Sequence, residues 1–439
     1  MGLAVGACSD DDSGPPPIDP GGCGLTGYAW LPAGQVGEII DDSEDALSPM
    51  EGVMVDGLVS VISDVLSPVP YGARLFNVRY TTQHKGRSVE ATGMIGVPWT
   101  PDGPAGKFPV VLFHHGTTGF TGHCSPSGLG GENSLLVYLT ASLGYVVIAP
   151  DYIGLDPRGA DADHAYITFE QTAIGALDMV RAGRPFVADV VDTAVEPTGP
   201  LVLMGASQGG HAVFATDLLA PYYAPEIDIC CGVSMIPVSD LLGFAQHAVS
   251  DVNPGTPYLA AILASHNRWY EGTAPLSEVL TDASPLYVAT SLPEAMDTIC
   301  DAGDVLDAAT RIEEIFTPTF VTAVQEGDWD AIEPWSCYLR ENSPATTSIP
   351  RVRDVPLLVV FGENDNLVHT PTQAADFDTL CGQGYRLEYL ECADAGHSDA
   401  ALWSLPEQLA WVEDRLAGLP MDAALQCLRT APVHCSAAP

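Results

Sequence analysis

The chain has 439 residues, of which 46% are hydrophobic, so it is long and apolar enough to bury a substantial core. Its 57 acidic and 16 basic residues give a formal net charge of -41, and its only lysines are Lys85 and Lys107. Such a surface repels phosphate backbones and anionic lipid headgroups, which excludes nucleic-acid binding as a leading function. The net charge favours solubility and does not indicate which substrate the protein binds.

The first residues indicate export. Val5, Gly6 and Ala7 precede Cys8 in the manner of a bacterial lipoprotein cleavage site, without the basic and longer apolar parts of a signal peptide. We therefore interpret residues 1–24 as a truncated lipoprotein signal and a flexible, acidic, proline-rich tether, with Cys8 as the candidate lipid anchor. The alternative is a chance cysteine near the terminus. No run of residues is long enough to span a bilayer, so membrane attachment is expected through an N-terminal lipid only.

The eleven cysteines favour an oxidising, extracytoplasmic compartment. They are spread along the chain without a CxxC pair of zinc-finger spacing, so disulfide bonds explain them better than a metal site. If Cys8 carries a lipid, the remaining ten are an even number that could all pair.

From about residue 72 the sequence alternates between strand-like and helix-like blocks, which predicts an α/β fold with a mostly parallel sheet flanked by helices. The segments RLFNVRY and VEATGMIGVP predict an early antiparallel pair. Six further apolar runs predict strands buried on both faces: FPVVLFHHG, GYVVIAPDY, GPLVLMGAS, IDICCGVSMI, VPLLVVFGEND and YRLEYLEC. Helical patterns lie between them at about 133–143, 165–184, 208–220, 371–380 and 400–417.

Residues 238–350 separate the sixth and seventh predicted strands by far more than a crossover helix needs. This stretch has helical pieces punctuated by prolines, and we interpret it as a helical cap or lid inserted into a core formed by residues 25–237 and 351–439. Its aromatic residues look exposed, and they fit the core of the cap better than substrate contacts. They include Trp269, Tyr270, Trp329 and Trp335.

Residues 201–215, LVLMGASQGGHAVFA, run from an apolar strand through a glycine-flanked serine into a helical pattern. A serine is a weak nucleophile unless a base reaches its hydroxyl, and a sharp strand-to-helix turn exposes that hydroxyl above the sheet. Such a turn crowds the backbone and requires small residues two before and two after the serine. Gly205 and Gly209 meet this requirement, so Ser207 is the predicted nucleophile, with a purely structural turn as the alternative.

The base and its orienting acid are expected after the nucleophile, in the order serine, carboxylate, histidine, on loops that follow later strands. Asp365 follows the strand VPLLVVF and is favoured over Glu363 because it lies further beyond the strand end. His397 follows the last strand, just before a helix, and is the predicted base. His369 is the competitor, but it shares a loop with Asp365 and is interpreted as a surface residue.

Acyl transfer at a serine also needs backbone donors for the oxyanion. Gln208, directly after the nucleophile, and Thr118 or Thr117 in the loop HHGTTG are predicted to supply them. His114 and His115 begin that loop, but neighbouring strand residues point to opposite faces, so anchoring of the loop is predicted rather than metal chelation. No metal or organic cofactor is expected for this chemistry.

The ordered set HHGTTG, APDYIGLD, GASQGG with its downstream YAPEI, GENDNLV and AGH resembles the secretory lipase family of α/β-hydrolases, which includes Candida-type lipase A. The resemblance covers roughly residues 70–430. It implies a triad of Ser207, Asp365 and His397 acting on carboxylic esters, with the cap as a lid over an acyl pocket.

The same resemblance implies two disulfide bonds, one from Cys124 to Cys300 and one from Cys381 to Cys427. It assigns nothing to the adjacent Cys230 and Cys231, which fit buried packing thiols as well as disulfides.

The leading prediction is therefore a secreted or surface-anchored bacterial lipase or esterase that acts on a small-molecule, lipid or polymer ester. Polyesters and aryl esters fit the same chemistry at the carbonyl. A serine peptidase is a weaker alternative because the cap sequence has no obvious cluster of charged residues that would indicate a binding site for a peptide terminus. A non-catalytic binding protein is the weakest, because it predicts a broken triad.

Overall fold

A computed structural model describes residues 22–59, 68–103, 106–130, 132–159, 161–191, 194–272, 274–282, 300 and 310–438. The candidate lipid anchor Cys8 and most of the predicted tether lie outside these residues.

A twisted sheet organises the described part of the chain, in the strand order β1-β2-β3-β5-β4-β6-β7-β8-β9. Strands β1 to β3 pair antiparallel, as do β3 and β5, and every other neighbouring pair is parallel. The strands are β1 Ile39–Glu44, β2 Gly72–His84, β3 Arg87–Trp99, β4 Gly106–His114, β5 Val146–Pro150, β6 Val195–Ala206, β7 Ile229–Met235, β8 Leu357–Gly362 and β9 Leu387–Cys392.

Helices cover both faces of this sheet, so the central strands are apolar on both sides. Every residue of β5, VVIAP, and of β8, LLVVFG, is buried. The helices are α1 Gly52–Val59, α2 Pro126–Leu129, α3 Glu132–Ser142, α4 Phe169–Phe186, α5 Gln208–Tyr223, α6 Leu241–Ala248, α7 Thr256–Trp269, α8 Pro318–Glu326, α9 Trp335–Glu341, α10 Thr370–Gly382, α11 His397–Trp403 and α12 Leu405–Leu416. The predicted α/β fold is confirmed.

One strand was not predicted. Strand β1 has the sequence IIDDSE, is almost entirely exposed and pairs only with the edge of β2. The described elements between β7, the seventh strand along the chain, and β8 are helices and short turns, and they form the helical insertion. The prediction placed the insertion between the sixth and seventh strands because it did not include β1.

The helical insertion packs around an apolar cluster that joins helices α6 to α9 and the short turns Leu276–Glu278 and Ile312–Glu314. Leu25, Phe120 and Ile167, which lie outside the insertion, belong to the same cluster. Trp269, Tyr270 and Trp335 are buried there, and Trp329 packs against the same cluster. The prediction that these aromatics fit the core of the cap is confirmed for Trp269, Tyr270 and Trp335, although in the sequence they look exposed.

Four disulfide bonds link described residues. They join Cys23 to Cys337, Cys124 to Cys300, Cys381 to Cys427 and Cys392 to Cys435. The first two attach the helical insertion to the N-terminal segment and to the loop after β4. The last two fix the C-terminal segment to α10 and β9. Across the described residues, no helix combines the length and the apolar character needed to cross a membrane.

Candidate active site

The predicted nucleophile lies on a tight turn between β6 and α5. Ser207 has φ 59° and ψ -115°, a left-handed conformation that is rare for a residue with a side chain. The turn depends on its glycines: a Cβ on Gly205 would lie 2.3 Å from the carbonyl oxygen of Gly209, and one on Gly209 would lie 2.1 Å from that of His114. The Ser207 N–H donates to the carbonyl of Met235, at the end of β7, over 2.9 Å.

The predicted acid and base meet on the loops that follow β8 and β9. His397 Nδ1 lies 2.7 Å from Asp365 Oδ2, and the Asp365 side chain is almost fully buried. Its other oxygen, Oδ1, accepts the backbone N–H groups of Leu367 and Val368, each at 3.0 Å. Glu363 is exposed and accepts the N–H of Asp394 instead, so it does not contact the imidazole. Asp365 is thus held in a fixed orientation toward His397.

One cavity of about 400 Å³ contains both Ser207 and His397 on its wall. The rest of the wall is mostly apolar and comes from the sheet, from α11 and from the helical insertion. It includes Ile236, Val238, Phe244, Tyr258, Ile262 and Leu402. A predicted nucleophile and base thus open onto a space suited to an apolar ligand.

The loop after β4 packs against the turn that carries Ser207. A Cβ on Gly116 would lie 3.4 Å from the carbonyl oxygen of Ala206 and 3.9 Å from the Ser207 Cβ. Gly116 and Thr117 line the cavity, and the Thr117 hydroxyl is hydrogen-bonded to that of Tyr166 over 2.8 Å. The Thr118 hydroxyl is buried without a hydrogen-bond partner in the described part of the chain. This places the Thr117 side of the loop nearer the reaction space.

The sequence model of the family described as secretory lipase matches residues 129–423, more than half of the chain. The chain belongs to the secretory lipase family. It is 28% identical to Lipase A of Arthroderma benhamiae over 310 residues, which are 68% of this chain and 60% of that protein. The match thus spans less than two thirds of Lipase A.

Two further comparisons cover most of the chain. It is 23% identical over 436 residues to a Mycobacterium tuberculosis protein named a probable inactive lipase, covering 92% of this chain and 90% of that one. Its fold is similar to that of the rice cell wall degrading esterase LipA of Xanthomonas oryzae, with a TM-score of 0.68 at 18% identity, over 87% of this chain and 98% of LipA.

In this member of the secretory lipase family, the side chain of Gln208 is turned away from the cavity into a buried network. Its Nε2 donates to His164 Nε2 over 3.0 Å, while His164 Nδ1 donates to the carbonyl of Ile153 over 3.3 Å. Burial lowers the pKa of His164 to about 3, which keeps the imidazole neutral and able to accept this hydrogen bond. The Tyr152 ring stacks on His164 and also contacts His115, with centroid distances of 5.8 Å and 4.2 Å.

The sequence analysis did not predict this network around Gln208. His164 lies in the segment DHAYITF, which carries no recognisable motif, and its position depends on α7. The Ser265 hydroxyl accepts the N–H of Tyr166 and donates to the carbonyl of His164, at 2.8 Å and 3.2 Å. His266 Nε2 donates to the carbonyl of Ile167 over 3.0 Å. The helical insertion therefore supports the residue that anchors Gln208.

The remaining histidines of the sequence analysis have other partners. His114 is buried and its Nε2 lies 3.1 Å from the Thr216 hydroxyl, while the His115 carbonyl accepts the Tyr152 hydroxyl over 2.9 Å. Burial lowers the pKa of His114 to about 3 and that of His115 to about 4. His369 stacks on His247 with a centroid distance of 4.3 Å. Within the described ranges, no group of three His, Cys, Asp or Glu residues could hold a metal ion.

Proposed function

We propose that this protein is a secreted serine hydrolase of carboxylic esters, a lipase or esterase, with Ser207 as nucleophile, His397 as general base and Asp365 as the orienting acid. The observation that carries the proposal is the 2.7 Å contact between His397 Nδ1 and Asp365 Oδ2, made while His397 and Ser207 line the same cavity. Family membership supports the same chemistry.

The mechanism follows from the roles that these positions allow. The Ser207 Oγ attacks the ester carbonyl and transfers its proton to His397 Nε2, while Asp365 holds the proton on Nδ1 and stabilises the imidazolium. The backbone N–H of Gln208 and that of Thr117 or Thr118 stabilise the oxyanion. Collapse of the tetrahedral intermediate releases the alcohol and leaves an acyl-enzyme on Ser207. Water activated by His397 then hydrolyses this intermediate.

The cavity favours an ester with an apolar acyl group. Its aliphatic and aromatic wall removes apolar surface from water, and among the described residues that line it there is no carboxylate, lysine or arginine to pair with a peptide terminus. Lipid esters, including triacylglycerols, are the preferred substrate class, and a polyester or aryl ester presents the same carbonyl to the triad.

Secretion agrees with the family to which the chain belongs and with its disulfide bonds.

We further propose that Cys8 carries a lipid that attaches the protein to a bacterial membrane surface. Mass spectrometry of the protein from a bacterial membrane fraction should find a diacylglyceryl group on Cys8. A Cys8→Ser variant should appear in the soluble fraction. Equal partition of the two proteins would exclude this attachment.

A serine-directed organophosphonate tests the catalytic assignment. Peptide mass mapping should find the label on Ser207, and Ser207→Ala should remove both labelling and hydrolysis of p-nitrophenyl esters. Ser398→Ala is the matched control, because Ser398 lines the same cavity beside the proposed base and should be dispensable. A folded wild-type protein that stays unlabelled and hydrolyses no ester of any chain length would instead support a binding role.

A substrate series defines the ester class. Rates on p-nitrophenyl esters of increasing acyl length, on an emulsified triacylglycerol, on a soluble aryl ester and on a peptide amide should be highest for an acyl ester. A preference for the peptide amide would replace the proposal with a peptidase.

A further inference from the structure

Cys230 and Cys231 are consecutive residues on β7, and their sulfur atoms lie 3.0 Å apart. In a regular strand, successive side chains point to opposite faces of the sheet, which keeps neighbouring sulfurs apart. A β-bulge explains the exception. Leu201 of β6 pairs with Ile229 and Val202 pairs with Cys231, which leaves Cys230 as an extra residue without a partner on β6.

These two thiols contrast with the other described cysteines. The remaining eight form the four disulfide bonds, whereas Cys230 and Cys231 are free. A compartment that forms those bonds also exposes a close pair of thiols to oxidation. The pair lies at the start of β7, and its surroundings are the apolar core between the sheet and α12.

We propose that Cys230 and Cys231 form a thiol–disulfide exchange site, which a low-molecular-weight disulfide such as oxidised glutathione converts into a disulfide between adjacent residues. The Cys230 thiolate attacks one sulfur of that disulfide and expels the first thiolate. The Cys231 thiolate then attacks the Cys230 sulfur and expels the second. Two electrons pass from the cysteines to the external disulfide, and the two cysteine protons end on the two released thiols.

The exposures of the two residues set the order of attack. Cys230 is partly exposed and can meet a dissolved disulfide, whereas Cys231 is fully buried and can reach only its neighbour. The hydrogen bond between the two sulfur atoms also lowers the pKa of Cys230, and this bond together with burial raises the pKa of Cys231. Cys230 is therefore the thiol that reacts first.

The disulfide is expected to be more reducible than the other four. Adjacent Cα atoms are about 3.8 Å apart across a trans peptide, closer than the roughly 4.4–6.8 Å of ordinary disulfides. Strain of this kind favours the reduced form, so the pair should cycle under mild thiol concentrations that leave the other bonds intact. The contact between β7 and the turn at Ser207 is made by Met235, at the opposite end of the strand from the two cysteines. Since neither cysteine lines the cavity, we expect esterase activity to be insensitive to the redox state of the pair.

The full-length protein, secreted through an oxidising compartment, is treated with oxidised glutathione, denatured without reductant and alkylated with iodoacetamide. The peptide that contains both residues should be unalkylated and lighter than its dithiol form by two hydrogen atoms. During a dithiothreitol titration, Cys230 and Cys231 should be the first cysteines to become alkylated. Cys230→Ser is the control, because it should leave Cys231 free and alkylated after the same treatment.

Full alkylation of both cysteines after treatment with oxidised glutathione would overturn the proposal. A glutathione adduct that persists on Cys230 would do the same, because it would mean that Cys231 cannot complete the exchange. So would reduction of the pair only together with the other disulfides. These readouts are masses, so they are independent of the proposed esterase function.

Discussion

Replacement of Asp365 by asparagine tests how the base is oriented. Asp365 Oδ1 accepts two backbone N–H groups at 3.0 Å, whereas Oδ2 accepts His397 Nδ1–H at 2.7 Å. In Asp365→Asn, the amide oxygen should stay with the two backbone donors, because an NH₂ group facing them would leave three donors without an acceptor. The new NH₂ must then face Nδ1, which forces the imidazole proton onto Nε2, where the Ser207 proton should be received.

This wrong tautomer of His397 should lower kcat. The same substitution in the serine protease triad lowers kcat about 10⁴-fold, which corresponds to roughly 5.4 kcal/mol of transition-state stabilisation. We expect a loss of that order in kcat on a soluble p-nitrophenyl ester, with KM within a few-fold of wild type. The melting temperature should change little, because both backbone hydrogen bonds are kept.

Glu363→Gln is the matched control, since Glu363 is an exposed carboxylate on the same turn. It should retain wild-type kcat. If Asp365→Asn kept more than a tenth of wild-type kcat at neutral pH while remaining folded, the proposed role of Asp365 would be wrong.

Three further predictions concern the surroundings of the proposed triad and the stability of the fold. Gly209→Ala places a Cβ 2.1 Å from the backbone oxygen of His114, which cannot move without shifting β4, so kcat should fall about 100-fold or more. His164→Ala leaves Gln208 Nε2 without its buried acceptor, which should lower the free energy of unfolding by about 1–3 kcal/mol. Because the Gln208 N–H is a proposed oxyanion donor, kcat should also fall, and His164→Gln should recover part of both losses. Burial raises the pKa of Asp376 to about 7, above its unfolded value, so its contribution to stability is fully present below about pH 4 and is lost as pH rises to 7. Asp376→Asn should therefore flatten the pH dependence of urea unfolding and stabilise the protein at pH 8 by up to about 4 kcal/mol.

Each of these has a control elsewhere in the chain. Gly106→Ala adds a Cβ that meets only the Phe108 ring at 3.8 Å and should be active. His369→Ala removes a partly exposed imidazole and should leave kcat unchanged. Asp378→Asn, on the same helix as Asp376 but exposed, should keep the wild-type pH dependence. An Asp376→Asn protein that is less stable than wild type at pH 8 would contradict the stated sign.

The sequence predicted the features that local sterics or a long apolar run impose. The tight turn at Ser207 could be predicted because only glycine fits at positions 205 and 209, and the central strands because burial on both faces requires continuous apolar residues. Strand β1 could not, because IIDDSE has no apolar face and becomes a strand only through pairing with β2.

Features that depend on tertiary packing could not be predicted from the sequence. The contact between His164 and Gln208 exists because α7, about a hundred residues later, fixes the backbone at residues 164–167. The spacing of cysteines does not reveal their connectivity, so the Cys23–Cys337 and Cys392–Cys435 bonds were not predicted.

The attachments of the helical insertion restrict how a substrate can enter. Asn342 accepts the N–H of Phe169 through its side chain and His211 Nε2–H through its carbonyl, at 2.9 Å and 2.8 Å, and the Cys23–Cys337 bond holds the adjacent helix α9. These contacts, and those of α7 with residues 164–167, hold the insertion to the rest of the protein and oppose its movement as one body. Under the proposed function, selectivity for acyl length is then set by the side chains that line the cavity, and substituting them one at a time should change it.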